Sequence, residues 1–428
     1  MFRIKRKHLL IPYLTCLLSE TVLAADVNYY MGFSVANFSN FNLVEDSLAE
    51  DENAFSLNAG IRVLEDTANL YVNVDASVQS IKYSNELAPD ENVLNLLADA
   101  VWRIQPAQFE WVLTDNFAQT AIDTTASDSV LNRQNVNALS TGPNYIIRLN
   151  PRNNIQLEAR AENYSFEENL DNNRLSLAGR LIHNVNSSLT VTFNDQAEIT
   201  NFEDNINTDF HRNDIFLSVN YARGLNTLDA EYGVTKITND DAADLDEDRY
   251  ALSFTSARTR SSNIRLSYEH LLSDTGSEIL DLVIGDSSND ATNGTAANDI
   301  FVTEAFRFQH ISNLSSGSVT FELSSTTTEY RVNPVFDEKI NAAIISGVWN
   351  LRGSDNVLYN FSFSQNEFLD PSTDREDEDK LVSFTYFHAI QRNLNITFEA
   401  TKVDRLSTID SESYEDLRFI MTLTYNSL

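Results

Sequence analysis

"VTKITNDDAADLDEDRYALSF", residues 234–254, alternates at both ends and is acidic in the middle. Val234 closes a series with Leu228, Ala230 and Tyr232; Tyr250, Leu252 and Phe254 open the next. Alternation with period two marks a strand with one apolar and one polar face. Carboxylates cannot be buried unpaired, so the middle of the stretch must reach water. The same interruption recurs in "EDSLAEDEN" (45–53), "FEENLDNN" (166–173), "FEDNINTDF" (202–210) and "DPSTDREDEDK" (370–380).

Alternation fills most of the chain. One series is Phe55, Leu57, Ala59, Ile61 and Val63; another is Leu70, Val72, Val74, Ala76 and Val78. Leu94, Leu96, Ala98, Ala100, Trp102 and Ile104 continue it, and Leu417, Phe419, Met421, Leu423 and Tyr425 end it. The residues between are polar: Gln156, Glu158, Arg160 and Glu162 interleave with Ile155, Leu157, Ala159 and Ala161. A soluble β-sandwich has the same two-faced strands. The rhythm of the connections separates the two folds. Short ones are "LEDT" (64–67), "QPA" (105–107), "NPRNN" (150–154), "NVNSS" (184–188), "RGLN" (223–226), "RGSDN" (352–356) and "IQRN" (390–393), with long acidic ones between them. Short turns at one end and long loops at the other are the pattern of a membrane barrel, whose spanning strands need about 9–11 residues.

The reading is therefore all-β: a single transmembrane antiparallel β-barrel of about 20 strands (18–22), with short periplasmic turns and long acidic extracellular loops. Residues 238–248 are expected to form one such loop. Two others, 118–143 and 273–299, are candidates to fold inward and narrow the barrel. Lipid offers backbone groups no partners, so the sheet must close on itself.

The N-terminus gives the compartment. Arg3, Lys5, Arg6 and Lys7 precede a short apolar run from Leu9 to Leu18, and Val22 and Ala24 are small residues before Ala25. That is a cleaved secretory signal over residues 1–24, leaving a barrel over 25–428. The only cysteine, Cys16, lies inside it, so disulfides do not hold the fold. The net charge of −33 falls further once this basic segment leaves, which excludes nucleic-acid partners. With 42% hydrophobic residues the chain is not a disordered acidic tail. Gly is scarce, 12 in all, and the turns rely on Asn and Asp.

The polar face carries the candidate function. Arg103, Arg148, Glu158, Arg160, Glu162, Arg180, Asp229, Glu231, Arg265, Glu269, Glu322 and Glu399 all fall opposite the apolar series and are expected to line the lumen. They either pair across strands and stiffen the wall or line a path for polar solutes. Trp102, Trp111 and Trp349 stand beside short turns on the apolar face, as membrane-interface aromatics do.

No catalytic group is expected. His183, His310 and His388 sit near short turns, His270 near a long loop, and His211 near Asp209 and Asp214, but no spacing forces a triad. The acidic loop "NDDAADLDEDR" lacks the Gly and terminal Glu of an EF-hand. Hence no enzyme, cofactor or resident metal is read from the chain.

The segments "FEWVLTDNFAQTAIDTTASDSVLNRQNVNALSTGPNYIIRL" (109–149) and "NNRLSLAGRLIHNVNSSLTVTF" (172–193) resemble beta-barrel porin-type outer-membrane proteins of proteobacteria. Some of that group are encoded with exopolysaccharide export systems. The resemblance implies a barrel in the outer membrane of a Gram-negative cell and hints at polysaccharide traffic. The partners expected are outer-membrane lipid and lipopolysaccharide, the outer-membrane assembly machinery and a polysaccharide. Two roles stay open: a passive channel for polar solutes or saccharides, or an accessory to exopolysaccharide secretion, against a structural or adhesive protein acting through its acidic loops. Asp240, Asp241, Asp244, Asp246, Glu247 and Asp248 would make an external mouth favouring cations.

Overall fold

The computed structural model describes residues 25–123, 126, 127, 129–168, 171–202, 209–239, 244–259, 261–274, 300–331, 333–351, 353–369 and 374–427. The predicted signal, residues 1–24, lies outside them, as do Asp240 and Asp241. Among the described residues no helix is long and apolar enough to cross a membrane.

The strands are β1 (Asp26–Phe38), β2 (Glu52–Asp66), β3 (Leu70–Tyr83), β4 (Glu91–Gln105), β5 (Phe109–Ala121), β6 (Arg133–Asn150) and β7 (Asn153–Phe166). They continue as β8 (Asn172–Asn186), β9 (Leu189–Phe202), β10 (Phe210–Arg223), β11 (Asn226–Asn239), β12 (Leu245–Thr259), β13 (Ser262–Asp274) and β14 (Ile300–Leu314). The last six are β15 (Gly317–Tyr330), β16 (Glu338–Asn350), β17 (Asn356–Phe368), β18 (Glu376–Gln391), β19 (Leu394–Ser407) and β20 (Tyr414–Asn426). All belong to one 20-stranded sheet. Each strand pairs antiparallel with the next, and β1 pairs with β20 as well as β2, so the sheet is a closed barrel.

Connections follow the expected rhythm, with strands longer than expected. They run from 13 residues in β1 to 18 in β6, beyond the span of a bilayer. The surplus lies at the long-loop end. Asp246, Glu247 and Asp248 stand on β12 rather than in a loop, because a strand that has left the apolar layer keeps its neighbour's hydrogen bonds while its side chains meet water. The expected loop 238–248 shrinks to the connection after Asn239. Likewise β5 runs to Ala121 and β6 starts at Arg133, so most of 118–143 is sheet. At the short end, Gly224 (φ 64) and Gly353 (φ 73) take the left-handed backbone that tight turns require.

The ladder fixes the faces, since directly opposed residues share one. Tyr29↔Ile61, Val74↔Ala98 and Phe361↔Ile345 belong to the apolar face. Asn73↔Asp99, Ser140↔Glu162 and Ser218↔Glu231 belong to the polar one. Side chains from non-neighbouring strands can meet only across the interior. Arg174 of β8 meets Asp274 of β13, and Arg174 shares its face with Glu162, so the polar face is the inner one. The apolar face is bare, with Leu57 64% and Phe419 51% exposed. A soluble protein does not leave such a belt open to water.

Candidate functional site

Eleven of the twelve predicted lumen residues have inner-face positions in the ladder, and Arg103 follows the inner alternation of β4 beyond its last pair, but they do not gather at one point. The densest group is on β7 and β8. Arg180 holds Glu158 at 2.5 Å, Ser140 donates to Glu162 at 3.1 Å, and Arg160 donates to the Asn144 side chain at 2.6 Å. On β11, Glu231 accepts from Arg249 at 3.1 Å and Asp229 from Asn220. Glu322 accepts from Gln309 and meets Arg307, each at 3.1 Å; Glu399 accepts from Thr401 at 3.2 Å. Arg103 reaches Asp66 at 3.2 Å beside a short turn. Arg148 stands opposite Asn154, Arg265 opposite Thr255 and Gln309, and Glu269 opposite Ala251 and Ala305. These pairs lie along the wall, leaving the interior polar.

The inner wall has two sectors. From β2 to β14 it carries most of the charge. From β15 through β20 to β1 its middle is richer in hydroxyls and amides, with Ser324, Ser362, Asn360, Ser383, Thr401, Thr422 and Ser34 on inner positions beside Glu322, Ile344, Leu381, Glu399 and Ile420. Thr401 bonds Ser383 at 2.9 Å, and Ser34 bonds Thr422 at 3.0 Å. Hydroxyls and amides both donate and accept, which suits neutral polar solutes as well as water.

Toward the long-loop end the interior narrows, and here the structure adds what the alternation did not reveal. β13 pairs with β12 only as far as Tyr250↔His270; among the described strands, residues 271–274 pair with β14. The upper ends of β13 and β14 leave the wall and tuck inside it. Leu272, Ile300 and Val302 pack on Phe210 and Ile237, with Leu245 and Phe202 beside them. Leu272 and Ile300 continue the face that meets lipid lower down, whereas Phe210 and Ile237 are inner-face residues. The sheet thus overlaps itself. Arg212 donates to the Leu272 carbonyl at 2.8 Å and to Asp214 at 2.9 Å, and lies 3.6 Å from Asp274. Arg174 bonds Asp274 directly and Glu198 at 3.3 Å, with Tyr164 beneath its guanidinium at 4.8 Å. Arg174 is 2% and Asp274 4% exposed. Glu247 of β12 faces His270 at 3.3 Å and Arg331 at 3.2 Å, closing the flank of the overlap.

Two further clusters occupy the same end. Phe41, from the β1–β2 connection, packs inward on Ala36, Ala54 and Tyr83, and Val130 of the β5–β6 connection joins them. Val136, Ala138, Tyr164 and Phe166 line the inner face of β6 and β7.

Of the histidines, His388 binds Asp355 at 2.9 Å in the β16–β17 turn, where Tyr386 adds a bond at 3.0 Å. These two bonds hold the Asp355 carboxyl below its ordinary range. His183 contacts Asn153, and His310 contacts Ser262 and Ser312. Among the described residues no cluster has the make-up of a metal site. Trp102 and Trp111 are directly opposed on the outer face, and Trp349 lies on that face beside its turn.

No protein-family model and no curated protein matches the sequence. Solved structures do match. The FrpB iron transporter from Neisseria meningitidis shares 10% identity at TM-score 0.50, covering 94% of this chain and 82% of that one. A mutant of the ferric enterobactin receptor PfeA from Pseudomonas aeruginosa shares 9% at TM-score 0.50, covering 93% and 80%. The outer membrane protein OpdK from Pseudomonas aeruginosa shares 10% at TM-score 0.43, covering 94% and 99%. The chain has the fold of an outer-membrane β-barrel. That likeness is one of fold and carries no solute with it.

Proposed function

We propose that this barrel is a passive channel of the Gram-negative outer membrane for small polar solutes, neutral saccharides among them. The observation that supports it is the hydroxyl and amide sector of the inner wall, which faces a wall of paired charges across the interior. The reading is a non-catalytic one. Lipopolysaccharide and the barrel-assembly machinery are the partners such a protein needs. Export of a whole exopolysaccharide fits less well, because the tucked strands narrow the outer end. That narrowing favours the rival reading, a sealed structural or adhesive barrel.

Planar-bilayer recording of the purified protein, paired with swelling of liposomes in neutral sugars, decides between them. A channel gives conductance and sugar-dependent swelling, with cation preference at low salt from the acids at the mouth. The preference shrinks as the Debye length falls from about 10 Å at 0.1 M to about 3 Å at 1 M. Correctly folded protein that neither conducts nor swells liposomes moves the assignment to the structural reading.

A further inference from the structure

The overlap of the sheet joins two features: buried charge and an interrupted ladder. Four strands separate Arg174 from Asp274, about 24 Å of wall at ~4.8 Å per strand. Their contact exists only because residues 271–274 have left β12. The seam is held by apolar packing of Leu272, Ile300 and Val302 on Ile237, and by Asp274 between two arginines. Breaking one partner of a buried pair leaves the other charge uncompensated, so Asp274 holds the arm most strongly where water is excluded.

The register supplies a second position for the arm. Extending the β12–β13 ladder beyond Tyr250↔His270 would set Arg249 against Leu271 and Asp246 against Asp274. That would give the arm β12 as a ladder partner and return it to the wall. It would also align Asp246, Asp248 and Asp274 on one face, and like charges directly opposed are unfavourable. Two packings therefore compete: one keeps the ladder and crowds carboxylates, the other opens the ladder and gives Asp274 its arginines.

We propose that the upper β13–β14 arm, residues 271–274 and 300–302, is a two-position gate, latched inward by Asp274 on Arg174 and Arg212 and opened by rejoining β12. The gate deepens the channel reading and rests on it for its purpose, but not for its test. Ile237 is fully covered in the latched position. In an Ile237→Cys background, labelling by a water-soluble thiol reagent measures release of the arm, since the only natural cysteine is Cys16. Asp274→Asn is expected to speed labelling by roughly tenfold or more, as losing charge-assisted hydrogen bonds implies. Arg212→Gln is the second variant if Asp274→Asn fails the heat-shift gel assay for a folded barrel. Equal labelling rates in folded proteins with and without the latch overturn the gate. An Ile237→Cys/Leu272→Cys pair then tests the purpose: oxidation should lower conductance and reduction restore it. Faster labelling with no conductance in any variant removes the channel reading and leaves the gate. Conductance with unchanged labelling removes the gate and leaves the channel.

Discussion

At the scale of single residues, the face a side chain takes decides what it can be. Val74 lies on the bare outer face opposite Ala98, and Asn73 on the inner face opposite Asp99. Val74→Arg puts a cation toward lipid and is expected to cost about 2–4 kcal/mol near the midplane. Asn73→Arg gains an acid opposite and should fold close to wild type. Urea unfolding in lipid vesicles measures both; equal losses would show the register of β3 to be wrong. Asp75 is less useful as the inner control, because it already binds Arg62 at 2.7 Å. Asp355 makes a pH prediction. Its lowered folded pKa means its bonds to His388 and Tyr386 stabilise the fold fully above the ordinary carboxylate value, about 3.9. The contribution is lost as pH falls below that value and through the folded one. The difference in unfolding temperature between wild type and Asp355→Asn should shrink as pH falls below about 4. A difference that does not shrink between about pH 4 and pH 2 would reject the assignment.

At the scale of elements, the recurring acids acquire a structural task. The last residue of β3, β7, β9 and β15 is aromatic, and its backbone N–H donates to an Asp just before the next strand. The pairs are Tyr83–Asp90 (3.4 Å), Phe166–Asp171 (2.8 Å), Phe202–Asp209 (2.9 Å) and Tyr330–Asp337 (2.6 Å). Glu52 does similar work, accepting from the backbone of Asn53, Asn85 and Leu87. Part of the acidity that looked like solvated loop therefore ends strands. Asp337→Ala removes the carboxylate that Tyr330 donates to and should cost about 1.5–3 kcal/mol, the range for a hydrogen bond to a charged group. Faster exchange of the Tyr330 amide, or faster proteolysis between 331 and 337, checks it. Unchanged protection would mean the cap is idle. The motif was visible as "FEENLD" and "FEDNINTD", yet which amide each Asp receives depends on how the connection folds back.

At the scale of the whole molecule, closure is the stabilising fact. Pairing of β1 with β20 closes the sheet, and the one interrupted ladder, between β12 and β13, lies at the long-loop end, so backbone groups in lipid are satisfied within the sheet. Unheated and boiled samples should migrate differently on a denaturing gel, with β-type circular dichroism before heating. Identical mobility would contradict the closed barrel.

Period-two alternation, connection rhythm and the acid balance determined the barrel, its two faces and the end at which the charges collect. Those are local properties, because side-chain direction alternates along each strand whatever its neighbours do. The twelve polar-face residues and the three tryptophans could be assigned to a face for the same reason. Tertiary structure alone decided that β13 and β14 leave the wall, and that Arg174, Arg212 and Asp274 meet although Arg174 and Asp274 lie 100 residues apart. His211, Asp209 and Asp214 drew attention as neighbours in sequence, yet Arg212 and Asp214 work in the seam while Asp209 caps a strand. Alternation specifies which way a residue points; it carries no information about what stands across the interior. That depends on strand number, closure and the bend of one hairpin, which arise only when all 20 strands are in place.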